Sequence, residues 1–281
     1  MDSNSSKNKQ IAKNTLFLYF RMLFIMCISL YTSRVILEAL GVSDYGIYNV
    51  VGGFVAMFAL ISSSLTSACT RFLNFEMGKG TASRLRTVFS TSLTVHITLA
   101  CIIAVLCESF GVWYVNNKMV IPESRLIAAN WVFQVSVLNF CVNLITVPFN
   151  AAIIAHEKMS TFAYVSIFEG VSRLLICFLV MWTSFDHLIA YALLYMVVQV
   201  SVMIMYQAYC YRNFNECHYR FFVDKQLTKQ MFSYSGWHIF GNSASILNRQ
   251  GVDLVLNLFC GTILNAAKGI SNQVMNAVAS F

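Results

Sequence analysis

Long apolar runs separated by short polar ones organise this chain. Six stretches before residue 210 (16–37, 46–65, 88–106, 127–147, 162–182 and 188–209) reach the about 20 residues a helix needs to cross a ~30 Å hydrocarbon core. Four of them hold no Lys, Arg, Asp or Glu. The first carries Arg21 and Arg34, the fifth Glu169 and Arg173. A seventh segment runs from 231 to 260, and an eighth starts near Ile263 and is cut off at Phe281. These runs are about twice the length of a barrel strand and do not alternate with period two, which excludes a transmembrane β-barrel. Lys7, Lys9 and Lys13 resemble the start of a signal peptide, but the following run is too long and lacks a small-residue cleavage site. The pattern predicts an uncleaved first span.

Composition agrees. The 281 residues are 58% hydrophobic and only 11% charged, against about a quarter charged in soluble domains. A soluble enzyme, a disordered tail and a disulfide miniprotein are excluded. The net charge of +7 invites a nucleic-acid reading until the charges are located. With the N-terminus in the cytoplasm, the inner segments carry Lys7, Lys9, Lys13, Arg71, Lys79, Arg84, Arg86, Lys158, Arg212, Arg220, Lys225 and Lys229, whereas the outer loops carry only Lys118 and Arg125. That asymmetry is the positive-inside rule. It predicts a multi-pass membrane protein with a cytoplasmic N-terminus and no nucleic-acid partner. Cys27, Cys101, Cys141 and Cys177 fall within apolar runs and no C-x-x-C pair occurs. They read as small buried hydrophobes; neither a metal site nor a cofactor is expected.

The chain also repeats itself. Residues 9–14 (KQIAKN) resemble 225–230 (KQLTKQ), and the turn at Gly41 matches a turn at Gly261. Six spans then restart in the same orientation, a parallel repeat of the kind transporters use. The predicted fold is all-α: a polytopic membrane helix bundle with one six-helix lobe (1–210), a cytoplasmic linker (211–230) and the first helices of a second, incomplete lobe (231–281). Two lobes and an early stop imply a fragment or a truncated product whose missing half is itself a candidate partner.

Polar positions at helical spacing mark faces. On the seventh segment His238, Asn242, Ser245, Arg249 and Asp253 form one stripe, and the eighth continues with Asn265, Lys268, Asn272 and Asn276. A charged stripe at membrane depth must meet water, protein or substrate, and reads either as a cavity wall or as a polar seam between helices. Span four offers an uncharged strip, Asn139, Asn143, Thr146 and Asn150, suited to sugar hydroxyls and equally to helix contacts; it is expected to end at Pro148. Arg34–Glu38, Glu169–Arg173 and Arg249–Asp253 stand at i, i+4, where each base can neutralise its own acid. Arg21 has no acid at that spacing and either enters a cavity or snorkels to the headgroups. His96, alone in span three, reads as a packed, hydrogen-bonded residue.

Residues 33–53 (SRVILEALGVSDYGIYNVVGG), 70–78 (TRFLNFEMG) and 147–159 (VPFNAAIIAHEKM) carry a family resemblance. The chain resembles bacterial polysaccharide exporters, the O-antigen (Wzx-type) flippases and lipopolysaccharide-biosynthesis proteins of the multidrug/oligosaccharidyl-lipid/polysaccharide (MOP) exporter superfamily, with the Leu-Gly-x-x-Asp-Tyr-Gly turn at 40–46 its most specific feature. The resemblance implies two six-helix lobes about a central cavity. It also implies alternating access that carries an undecaprenyl-pyrophosphate-linked oligosaccharide between leaflets, without enzymatic chemistry. Arg21, Arg249 and Lys268 match the arginine-lined cavity of related lipid II flippases, with Asn242, Ser245 and Asn272 beside them as substrate-binding candidates. Glu169 and Asp253 are the candidate ion-coupling positions. Membrane lipids and other polysaccharide-assembly proteins are the implied partners. The drug-extruding branch commonly carries an acid inside span one, absent here before Glu38, which disfavours the rival multidrug antiporter. A membrane-embedded glycosyltransferase or polymerase would need a substantial loop, and the longest expected here (107–126 and 210–230) are about 20 residues, short for a catalytic insertion. A non-transporting scaffold is a third alternative.

Overall fold

The computed structural model describes the backbone of residues 2–80, 82–219 and 224–279. Within it, the side chains of 2–14, 18, 60, 82, 242–247, 249–250, 261–262, 273 and 276–279 are left undescribed. The described residues are helical almost throughout: α1 (Asp2–Ala56), α2 (Ala59–Lys79), α3 (Ala82–Leu106), α4 (Val112–Asn117), α5 (Leu126–Ala155), α6 (Met159–Met181), α7 (His187–Asn213) and α8 (Lys225–Ala279). Five helical stretches are long and apolar enough to cross a membrane: Thr15–Ala56, Ser83–Asn117, Glu123–Ala155, Met159–Met181 and His187–Asn213. The all-helical membrane bundle is the architecture the apolar runs predict.

The first of these five, 42 residues long, holds the first span and the start of the second. Gly41 breaks it with φ 75° and ψ 166°, in the left-handed half of backbone space where only glycine is unstrained. Ala39 O then lies 3.1 Å from His187 Nδ1 at the start of α7, while Tyr48 packs edge-on against Tyr191, one turn further down the same helix. The chain has reversed. α8 also folds back on itself. Asn265 Nδ2 donates to Asp253 O at 3.1 Å, whereas twelve residues of straight helix would separate these groups by about 18 Å. The turn expected near Gly261 falls inside this fold-back.

The second span is not continuous as expected: Met57 and Phe58 form a tight turn between α1 and α2, with Met57 N–H donating to Phe54 O and Phe58 N–H to Val55 O. The third span overruns its predicted end at 106. A π-helical turn (Cys107–Gly111) carries it into α4, so the expected 107–126 loop shrinks to a short connection. Gly111 permits this, since a Cβ there would sit 2.4 Å from Phe133 Cζ and 3.0 Å from Phe54 Cε1. Pro148 does not end α5, which runs through it to Ala155. Two corrections concern cysteines: Cys27 and Cys101 are exposed on the bundle's outer face, as thiols apolar enough for lipid, while Cys141 is half-buried and Cys177 buried as expected.

Buried apolar side chains gather in two separate clusters. One, towards the end of the bundle that holds Gly41, is built on Tyr45, Ile47, Phe133, Leu144, Leu188 and Tyr191. The other, towards the N-terminal end, is built on Leu73, Phe89, Phe149, Ile153 and Tyr206. Between them, polar side chains face one another at mid-depth.

At the Gly41 end, Arg125 ties three elements together. Its Nε donates to Asp44 Oδ1 at 2.8 Å and its Nη2 to Asp186 Oδ1 at 3.1 Å, with further bonds from Nη2 to Asp44 and Nη1 to Asp186. Asp186 also caps α7, accepting from the N–H groups of Leu188 and Ile189 at 3.1 and 3.2 Å. Partial burial pushes the Asp186 carboxyl up, but the Arg125 guanidinium and the two capping N–H groups outweigh it, so its pKa lies below the usual value. Next to this knot, Asn257 on α8 is 1% exposed and pairs with both backbone groups of Val120. At the opposite end, Arg84 pairs with Asp224, the cap of α8, at 3.0 Å, and His156 stacks on Phe214 at 3.9 Å while pairing with Glu216.

Gly111→Val should overpack the Phe54–Phe133 contact and lower stability by about 1–3 kcal/mol, read as a drop in melting temperature of the detergent-solubilised protein. Arg125→Gln should cost about 2 kcal/mol by stranding two carboxylates. The Asp186 contribution is complete above the unfolded carboxylate pKa of about 3.9 and fades as pH falls through its depressed folded value. In melting curves, the wild type should therefore lose its advantage over Arg125→Gln only in that acid range.

Candidate functional site

The polar layer between the two apolar clusters encloses two adjoining chambers. The first, of about 230 Å³, lies between α1 and α6 and is lined by Arg21, Ser29, Thr32, Ser166, Glu169 and Arg173 with Ile25, Ile28 and Gly170. It runs from Arg21 to Thr32 along α1, about 16 Å at the helical rise. Gly170 lies across from Ile28, where an added Cβ would meet Ile28 Cγ2 at 3.8 Å, an ordinary contact. The second, of about 340 Å³, is lined by Ser62 of α2, Asn143, Thr146 and Asn150 of α5, Phe162, Ser166 and Glu169 of α6, and Gln199 and Tyr206 of α7. Ser166 and Glu169 belong to both walls.

Arg21 enters the first chamber rather than snorkelling outward. Its Nη1 donates to Ser166 Oγ at 3.3 Å and its guanidinium lies 4.6 Å over the Phe162 ring. Ser166 in turn donates to Phe162 O at 2.8 Å, and Arg21 Nε is buried with no hydrogen-bond partner among the described residues. Arg173 sits at the far end of the same chamber, 5.1 Å over the Tyr195 ring. The expected Glu169–Arg173 ion pair is not made. Glu169 Oε1 accepts instead from Gln199 Nε2 at 2.8 Å, across to α7. Gln199, 4% exposed, also donates to Tyr195 at 2.8 Å, so one amide braces both the acid and the ring beneath Arg173. Glu169 and Arg173 line one wall, and each engages a side chain of the neighbouring helix instead.

Of the α5 strip, Asn143, Thr146 and Asn150 line the second chamber, whereas Asn139 is buried and lines neither. Asn143 Nδ2 donates to Asn139 O at 3.0 Å and Thr146 Oγ1 to Val142 O at 2.7 Å, local bonds that leave the amide oxygen of Asn143 uncommitted. Asn150 Oδ1 is buried and accepts no bond from the described residues.

The candidates on α8 divide. Asn242, Ser245 and Arg249 have side chains outside the described residues, and the Arg249–Asp253 pair with them. His238, from the same stripe, forms a helix-to-helix seam: Nδ1 lies 3.4 Å from Ser64 Oγ on α2, and Ser235 donates to Ser64 O at 3.3 Å. Asp253 is half-buried, with Oδ1 unpartnered among the described residues and Lys268 as the cation acting on it from the returning arm. Lys268 and Asn272 are half-buried and line neither chamber. Arg34 and Glu38 are exposed, and no ion pair joins them among the described residues. His96 is fully buried, Nδ1 2.7 Å from Ser92 O, the packed histidine the sequence predicts. No group of three or more His, Cys, Asp or Glu side chains could hold a metal among the described residues. Sequence reasoning passed over Thr32, Ser166, Gln199 and Tyr206 as chamber residues. Gln199, a lone amide in an otherwise apolar span, was the available signal.

Solved structures share this all-helical fold. The MATE multidrug transporter DinF-BH matches 96% of this chain at a TM-score of 0.77 and 16% identity. A MOP superfamily transporter from Pyrococcus furiosus, described by the reversed polarity of its binding pocket, matches 95% at a TM-score of 0.63 and 12% identity. The chain spans 61% and 64% of their lengths, and at such identities the likeness concerns the fold. The family model for polysaccharide biosynthesis proteins matches residues 11–278, and the chain belongs to that family. Among curated proteins none matches the sequence.

The chamber should be wet. In proteoliposomes, Ser29→Cys should react with a charged, water-soluble methanethiosulfonate, while Cys27, two residues earlier on the outward face, stays unmodified. Equal reaction at the two positions would count against an aqueous chamber.

Proposed function

We propose that this chain is part of a flippase that moves an undecaprenyl-diphosphate-linked oligosaccharide across the inner membrane by alternating access, with its N-terminal end in the cytoplasm. The observation that carries the reading is the pair Arg21 and Arg173 in one chamber with a single acid, Glu169, already engaged by Gln199. Such a chamber is net positive at membrane depth. A cation there costs about 2.5–3.5 kcal/mol on insertion scales, a cost that an anionic cargo offsets. Diphosphate oxygens suit guanidinium groups because the planar N–H fork gives two parallel, charge-assisted bonds.

Residues 1–210 form one lobe in this reading, 211–230 the linker, and 231–281 the opening helices of a second. Arg21 receives the headgroup, Arg249 and Lys268 are the candidates of the second lobe for the same cargo, and the lipid tail stays in the bilayer. Glu169 and Asp253 are the places where a proton or sodium ion would couple to the motion, because each is an acid at membrane depth next to a cation. Enzymatic chemistry has no part in the cycle. Family membership supports the glycan cargo.

Binding separates this from the antiporter reading. Purified protein in nanodiscs should bind undecaprenyl diphosphate, and Arg21→Gln should weaken that binding at least tenfold. Binding of a lipophilic dye cation that is lost in Glu169→Gln, with no binding of the lipid diphosphate, would establish a cation antiporter instead.

A further inference from the structure

Arg173 has an acid at hand that it does not use. Glu169 stands four residues earlier on α6, the order in which acid and base pair best on a helix, and at membrane depth such a pair would be little screened. Yet Glu169 turns to α7, where Gln199 Nε2 donates to its Oε1 at 2.8 Å. Among the described residues no ion pair reaches Arg173 or Arg21. Gln199 is built to hold the acid there. Its side chain is 4% exposed, and its other bond, to Tyr195 Oη one turn earlier on α7 at 2.8 Å, fixes the direction of the amide. The same tyrosine ring carries the Arg173 guanidinium at 5.1 Å. Two opposite charges one helical turn apart are therefore each held by a neutral group of the facing helix, and one amide braces both.

We propose that Gln199 is a positioning residue that sets the first chamber's selectivity for anions: it draws Glu169 onto α7 and so keeps the N–H fork of Arg173 open to the diphosphate. This rests on the flippase reading and gives the acid and the second arginine of the chamber distinct parts. A carboxylate that reached Arg173 would take the fork bidentately, in the geometry a phosphate needs. The cargo would then have to displace a partner tethered one turn away. Gln199 does not cancel the negative charge of Glu169; it decides where that charge lies and which donors it occupies. A neutral amide suits the task. Lys or Arg at 199 would hold the acid as firmly but add a further cation at membrane depth, and Glu there would repel it. An apolar side chain at 199 would strip the carboxylate of its donor and leave Arg173, four residues along, as the base it can reach on its own helix.

The test measures binding of undecaprenyl diphosphate to the whole chain in nanodiscs. Gln199→Met, which keeps the length of the side chain without its donors, should weaken binding at least fivefold, and Gln199→Leu should do the same. Glu169→Gln, which removes the competing acid, should bind more tightly than wild type. The double variant Glu169→Gln/Gln199→Met should then match Glu169→Gln to within about threefold, because no carboxylate remains to be held. That recovery separates positioning from packing: a Gln199 needed only for structure would cost the double variant as much as the single one. Melting temperature identifies any misfolded variant, and whichever Gln199 substitution melts with wild type decides. Undiminished binding in the Gln199 variants, or a loss that Glu169→Gln does not reverse, overturns the positioning role, while the diphosphate reading stands on the weakened binding of Arg21→Gln. Failure of wild type itself to bind the lipid diphosphate defeats the flippase reading and this assignment with it.

Discussion

Arg125 is the fastener on which the rest of the bundle depends. One guanidinium engages carboxylates from two different elements, Asp44 just after the Gly41 reversal and Asp186 at the start of α7, and it stands itself at the start of α5. Helices in lipid have little hydrophobic drive to find their register, because the tails around them are as apolar as they are. A charged knot at one end therefore does what a core does in water: it fixes how far each helix slides past its neighbours. The depths of Asn143, Glu169 and Gln199 follow from that register, so the chambers exist at one level rather than as polar spots scattered along separate helices. The same knot explains the Leu-Gly-x-x-Asp-Tyr-Gly turn. Glycine supplies the left-handed bend, the aspartate takes the arginine fork, and Tyr45 is buried beneath it.

The bilayer sharpens this division of labour. Apolar side chains can face lipid at no cost, which is why Trp182, Phe185 and Phe259 stand more than four-fifths exposed on the outer surface. Polar ones cannot, so they collect between the two apolar clusters, where they find one another or an enclosed space. The protein thus has its most demanding groups in the middle of the membrane and its apolar packing at either end.

The helices were legible from the apolar runs because a 20-residue run in this composition has one stable outcome. Helix ends were less so: the π-turn at Cys107–Gly111 depends on Gly111 meeting Phe133, a contact far apart in sequence. The site was half legible. Arg21, Glu169, Asn143 and Asn150 stand out as polar residues in apolar company. Their partners do not, because spacing along one helix says nothing of the neighbouring one, and Glu169 took Gln199 across α6 and α7 in place of Arg173 one turn away. Arg125 and Asp186 read as ordinary loop charges, and only the folded chain brings them together.

The fold-back of α8 brings Gly269 against Asn49 so closely that a Cβ would fall 2.7 Å from the asparagine amide. Each of the two residues lies eight positions beyond the glycine of its own turn, Gly41 and Gly261. A bare backbone at that crossing lets the two helices approach closely, and any bulkier side chain would act there as a wedge.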